Sequence, residues 1–323
     1  MIKKLLLPLM LLLLCTLPAM AATERYGYFR SVLNFTQQPD TLNSGALNKL
    51  RYYFESRYGD YLGSRIALDF KAFNGNQDQR LAGDAFLSLY RAAAIIHLPG
   101  TDVTVGKQRI AWGTGTVWNP TDLFYSYRLI DPEEDVPGVL GIRIEHPFST
   151  FTGIDAYAVS LNADLNTLVS ALKYRGNYRL LNYSLLYAYN GFTDSQVWGT
   201  DFRQDFDNGK FYGAAAYTVP KTARQYLKAV LGSDYTFLGG LDLNLEYYFT
   251  GASAPAQNYA LVRTIKAITQ DVLFTNNLIF NLNDGGFILY PVSNWIIEEG
   301  IELNLEALLA AQSSVYTKFK FAF

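Results

Sequence analysis

The chain has 323 residues with 27 basic and 29 acidic side chains, so no basic excess argues for a nucleic-acid partner. Tyrosine (24) and phenylalanine (21) are abundant, yet mean hydropathy is only +0.02. Past residue 21 no apolar run approaches the roughly 20 residues of a membrane-crossing helix, which excludes a helical membrane protein.

Residues 1–21 read as a secretory signal. Lys3 and Lys4 precede an apolar run over 5–14, and Ala19-Met20-Ala21 forms an A-x-A site with cleavage expected after Ala21. The run is too short for an anchoring helix. Leu14 before Cys15 is not the small residue that a lipidated cysteine usually follows. Removal of the segment takes away the only cysteine, so stability must come from backbone pairing and burial. It also leaves 25 basic against 29 acidic residues, a formal charge of −4, on a single domain expected over 22–323.

That domain divides into segments with period-two alternation, separated by turn signals. Residues 25–36 come first, then 47–57, where Leu50, Tyr52 and Phe54 alternate with Arg51, Glu55 and Arg57. After Gly59-Asp60, segment 61–73 sets Ile66, Leu68 and Phe70 against Arg65, Asp69 and Lys71. Segments 85–98 and 101–112 follow around Pro99-Gly100. Val103 and Val105 are out of phase with Ile110, which predicts a bulge near Gly106. Segments 139–146, 151–161, 165–175 and 178–190 continue, with Gly176-Asn177 predicted as a tight turn. Then come 197–206, 210–219 and 225–237, ending at Leu238-Gly239-Gly240. In 241–249, Leu241, Leu243, Leu245, Tyr247 and Phe249 alternate with Asp242, Asn244, Glu246 and Tyr248. Segments 258–268, 272–283, 287–297, 301–309 and 315–323 complete eighteen candidate strands, with sixteen as the competing count.

The class follows from the second face. A soluble sandwich would bury one face and leave the other polar without aromatic girdles. Here Arg, Asp, Glu and Lys recur on the face opposite the apolar one, as a water-filled lumen requires. In lipid every backbone N–H and C=O must pair internally, and a closed barrel is the only sheet that achieves this. The expectation is therefore an all-β, transmembrane, antiparallel outer-membrane β-barrel. An even strand count puts both termini in the periplasm, and the turns after even-numbered strands with them.

The last segment, Ser314-Val-Tyr-Thr-Lys-Phe-Lys-Phe-Ala-Phe323, alternates and ends on an aromatic. It resembles the closing strand of bacterial outer-membrane barrel proteins. The resemblance implies recognition by the barrel-assembly machinery and pairing with the first strand.

Residues 113–138 form the one long loop, and loops of this length are usually functional or disordered. Its aromatics, with Pro120, Pro132 and Pro137, argue for order. An ordered, partly apolar third loop is expected to fold into the barrel and narrow it. Asn119-Pro120 sets an extended-to-turn transition, and Asp122 can cap the backbone that follows. Asp131, Glu133, Glu134 and Asp135 then supply four carboxylates. Set against Arg65, Arg109 and Arg143 of the wall, and with Asp122 and Arg128, they form a candidate constriction that would select by charge. The competing readings are a solvated loop tip, a salt-bridge latch, or, as a minor one, a calcium site without EF-hand spacing. With the preceding Gly106-Lys-Gln-Arg-Ile-Ala-Trp112, the stretch resembles a motif of porin-like outer-membrane proteins, Gly-Arg-Gln-Arg running into Trp-Gly and Asn-Pro-Thr-Asp-Leu-Phe, with Lys107 departing from it. Gly-Lys-Gln-Arg also faintly resembles the alginate-export family.

Enzyme chemistry finds little support. His97 and His146 fall near the periplasmic rim beside Pro99 and Pro147, and no Gly-x-Ser-x-Gly elbow occurs. Gly113-Thr-Gly115 lacks the Lys-Ser/Thr and helix of a phosphate cradle. Trp112, Trp118, Trp198 and Trp295 read as girdle or loop packing rather than sugar platforms. The sequence thus points first to a passive channel for small hydrophilic solutes, then to an exporter or assembly component for an envelope polysaccharide, and last to a lipid-active hydrolase. No catalytic residue, cofactor or metal is expected. Expected partners are outer-membrane lipid, the assembly machinery, small solutes and further copies of the chain in a homo-oligomer.

Overall fold

Each strand pairs its backbone with two neighbours, and the pairing runs round without an edge. The computed structural model describes residues 22–37, 42–75, 85–124, 137–160, 167–310 and 313–323. The predicted signal segment lies outside them.

Within them are eighteen strands, one for each segment that the alternation marks. They are β1 (Ala22–Gln37), β2 (Leu42–Tyr58), β3 (Leu62–Gly75), β4 (Ala85–Leu98), β5 (Thr101–Gln108) and β6 (Val139–Pro147). Next come β7 (Gly153–Ser160), β8 (Leu168–Tyr178), β9 (Leu181–Asn190), β10 (Ser195–Phe206), β11 (Gly209–Pro220) and β12 (Tyr226–Thr236). The last six are β13 (Leu241–Thr250), β14 (Gln257–Ala267), β15 (Val272–Asn281), β16 (Phe287–Glu298), β17 (Ile301–Leu308) and β18 (Ser313–Ala322).

Every neighbour pair is antiparallel and consecutive in sequence, and β1 pairs β18 from Tyr28↔Ala322 to Gln37↔Ser313, which closes the barrel. The eighteen-strand count displaces sixteen. Turns after even-numbered strands span two to five residues, and both described termini lie at that end. The longest connection, 109–138, is at the other end.

Faces divide as alternation requires. Leu33, Leu50, Phe70, Ile142, Leu185, Leu231 and Leu245 are exposed on the outside. Arg51, Asp69, Tyr212, Tyr290, Glu246 and Lys318 are buried on the inside. A soluble fold reverses this arrangement.

Three sequence expectations are corrected. Gly176-Asn177 is not the turn: both residues belong to β8, and the chain reverses at Arg179-Leu180, with Arg179 at φ 58°. Gly176 is there because a Cβ would sit 2.3 Å from the ring of Tyr183, its cross-strand partner. The bulge expected near Gly106 falls elsewhere. Register across β5 is unbroken, although Gly106 has φ 125°, and the extra residue is Tyr90 of β4, opposite the Ala67–Leu68 step. β5 then ends at Gln108, so the phase change at Ile110 marks the chain leaving the wall. Finally, inner positions do not all meet water. Arg51 grips Asp69 through Nε (2.5 Å) and Nη2 (2.8 Å), both side chains fully buried, and Lys318 meets Glu306 at 2.6 Å. These four inner charges are packed into ion pairs because charges out of water persist only when they are paired or hydrogen-bonded.

Candidate functional site

After β5 the chain crosses the inner surface. Ile110 and Trp112 are buried against Tyr157 and Val159 of β7, Ala171 of β8, Leu186 and Ala188 of β9, Val197 of β10 and Ala216 of β11. The Trp112 ring stands edge-on to Tyr157 at 4.8 Å and to Phe124 at 4.7 Å. Val117 packs on a second arc, Leu261 of β14 and Ile279 of β15. Trp118 lies flat on Tyr248 of β13, centroids 5.2 Å apart and planes 6° from parallel. Residues 110–118 are therefore a strap laid along the inner wall from β7 to β15.

Local letters explain its shape. Gly115 N–H donates to Asn119 Oδ1 (2.8 Å), and Asn119 Nδ2 returns a bond to Gly115 O (3.1 Å). A Cβ on Gly115 would lie 2.0 Å from Trp118 O, and one on Gly113, at φ 96°, would lie 2.3 Å from Asn119 Oδ1. Only glycine fits either place. Asp122 caps as expected: its N–H donates to Asn119 O (3.0 Å), and its Oδ1 accepts from Phe124 N–H (3.0 Å).

Polar contacts tie the strap to the wall. Thr114 Oγ1 donates to Gly213 O of β11 (3.1 Å), and Thr116 Oγ1 lies 3.1 Å from the Tyr212 hydroxyl. Thr116 N–H donates to Glu246 Oε1, and Val117 N–H to Glu246 Oε2 at 3.1 Å. Tyr212 OH also donates to Glu246 Oε1, at 2.9 Å. Glu246 and Tyr212 were not among the candidate residues. Alternation alone turned Glu246 inward, and no local motif marks either one as a strap contact.

The predicted wall bases Arg65, Arg109 and Arg143 lie among the described residues. Arg65 pairs with Glu55 of the neighbouring strand (3.2 Å), and both line two cavities of about 530 and 640 Å³. The first is also lined by Tyr26, Tyr28, Arg30, Arg91 and Lys320, the second by Glu24, Arg57 and His97. Arg143 pairs with Glu145 two residues along its own strand, and its guanidinium sits 5.7 Å from the Tyr157 ring centroid. Arg109 is exposed just beyond β5. Arg128, Asp131, Glu133, Glu134 and Asp135 lie outside the described residues, as do the acids of the calcium reading. Arg65 and Arg143 thus meet wall carboxylates rather than each other.

At the short-turn end, His97 Nδ1 lies 2.7 Å from Asp102 Oδ1 and His146 Nδ1 lies 2.8 Å from Thr101 Oγ1. Both pairs flank the Pro99-Gly100 turn. Trp198 and Trp295 are exposed on the outer face, whereas Trp112 and Trp118 belong to the strap.

No family model and no curated protein matches the chain. Solved structures do. The crystal structure of Acinetobacter baumannii OccAB4 superposes with a TM-score of 0.69 at 7% identity, over 94% of this chain and 99% of that one. A double variant of OccD1 (OprD) gives 0.69 at 9% identity, over 93% and 95%. A multiply substituted Rhodopseudomonas blastica porin gives 0.57 at 13% identity, over 94% and 100%. The barrel fold is shared. With so few identical residues, the likeness lies in strand pairing and closure and not in side chains.

Proposed function

We propose that the protein is an outer-membrane channel through which small hydrophilic solutes diffuse, with the third outer loop, 113–138, narrowing its lumen. The observation that carries this is the strap, which packs on the inner wall at Val117 and Trp118 and is bonded to Glu246 and Tyr212. A barrel of this strand number leaves an aqueous passage unless something occupies it. Support comes also from the exposed aliphatic outer face, which suits lipid, and from the fold shared with a porin.

In this proposal residues 1–21 are removed on export, 22–323 form the barrel, and the short-turn end faces the periplasm. The β18 strand, ending at Phe323, is read by the assembly machinery. The loop acids Asp131, Glu133, Glu134 and Asp135 meet the passing solute and bias the pore by charge, set against Arg65, Arg109 and Arg143 of the wall and with Asp122 and Arg128 beside them. The histidine pairs at the rim serve the turn and not catalysis. Conductance of the purified protein in planar bilayers tests the proposal: discrete, stable steps are expected, and a protein that inserts without conducting refutes it.

A further inference from the structure

We infer that Glu246 is the positioning residue of the pore: a wall carboxylate that latches the strap by filling an anion nest in the strap backbone. The inference rests on the reading of the strap as a constriction. Glu246 is 3% exposed at the middle of β13, on an inner face where water does not satisfy it. Successive backbone N–H groups that point into one concavity make an anion site. Here Thr116 and Val117 supply two such groups, one to each carboxylate oxygen, and Tyr212 OH adds a third donor to Oε1. Charge-assisted bonds of this kind are about twice as strong as neutral ones.

The other strap contacts described above are neutral. Thr114 offers one bond to Gly213 O and Thr116 Oγ1 lies 3.1 Å from the Tyr212 hydroxyl, while Ile110, Trp112, Val117 and Trp118 contribute non-directional packing. Such packing fixes which wall the strap lies against, but it lets the strap slide. The two-oxygen clasp fixes its position along the wall, and with that the cross-section left open. Glu246 does this from 130 residues away in sequence.

Removing the side chain should leave two N–H donors and the Tyr212 hydroxyl around a space that suits a small carboxylate. The probe is a thiol at a buried strap position in a chain whose only natural cysteine is Cys15. Val117→Cys is labelled with a small maleimide in the full-length barrel, alone and together with Glu246→Ala. Folding is checked by the gel shift of unboiled protein. Labelling is expected to accelerate about tenfold or more when the charged bonds are lost. Sodium formate, but not sodium chloride at equal ionic strength, should slow it again, and Glu246→Asp should label close to the parent rate. If Glu246→Ala does not fold, Glu246→Gln replaces it, with a smaller acceleration expected because one acceptor oxygen remains, and with no effect of formate because no space opens.

Equal rates in folded barrels with and without the carboxylate overturn the latch, and so does an acceleration in Glu246→Ala that formate leaves untouched. Conductance of a strap-shortened barrel separates the two ideas. If labelling accelerates but shortening leaves conductance unchanged, the latch stands and the constriction falls. If shortening raises conductance but labelling is unchanged, the constriction stands and the latch falls.

Discussion

Leu245 and Asn244 are adjacent on β13 and differ in everything that burial decides. Leu245 is exposed outside, while Asn244 is buried inside, where its Nδ2 donates to the Tyr212 hydroxyl and to Asp234. An arginine at Leu245 should therefore cost about 2–4 kcal/mol in lipid refolding, as charge at a mid-bilayer lipid-facing site does. Asp242→Arg on the inner face of the same strand should cost only about 1 kcal/mol, for its lost bond from Thr236. Equal losses would put the wrong face outward. Asn244 would be no mild control on that face, because its neighbours enclose it. The Arg51–Asp69 pair makes a second residue-scale case. Replacing either residue by alanine should destabilise by about 3–5 kcal/mol, because the partner is left charged and buried. The double alanine variant should recover part of that, and strict additivity in urea titrations would contradict the pairing.

Strands are legible because every element of this barrel repeats the same simple pattern, apolar out and polar in, over about ten residues. β13 carries that pattern in plain form, and so do β2 and β3. What was not legible depends on partners remote in sequence. Whether Gly176 turns the chain or makes room for a ring is decided by Tyr183, and the bulge at Tyr90 is visible only against β3. Asp122 could be read as a cap because its bond is local, whereas the Glu246 contact with Val117 spans 129 residues and leaves no local trace. The seam between β1 and β18 is likewise non-local, and Phe323 completes it by exchanging backbone bonds with Gly27 at 2.8 and 2.9 Å. Deleting Phe323 should impair assembly in cells more than the stability of protein refolded in detergent. Wild-type levels in the outer membrane after deletion would remove its targeting role. The acidic loop also belongs to this scale. Neutralising Asp131, Glu133, Glu134 and Asp135 should leave conductance similar and shift reversal potentials towards anions. That shift should fade at 1 M salt, where screening reaches only about 3 Å. An unchanged reversal potential at low salt would place these acids away from the permeation path.

For the molecule as a whole, closure satisfies the backbone, aliphatic side chains cover the outside and ion pairs lie on the inner face, and under the proposed function the strap is the element that sets what passes. Paired charges such as Lys318–Glu306 and Lys173–Asp201 neutralise one another on the inner face. An eighteen-strand wall is wide enough to conduct freely, and residues 110–118 are laid across its inner surface. The direct measurement is single-channel conductance in planar bilayers of the full chain beside a variant shortened between Val117 and Val136. Conductance should rise several-fold in the shortened barrel, towards that of an open tube of this strand number, with folding verified by the unboiled gel shift. Equal conductance from the two proteins would make the loop an outer cap and leave the barrel without a constriction.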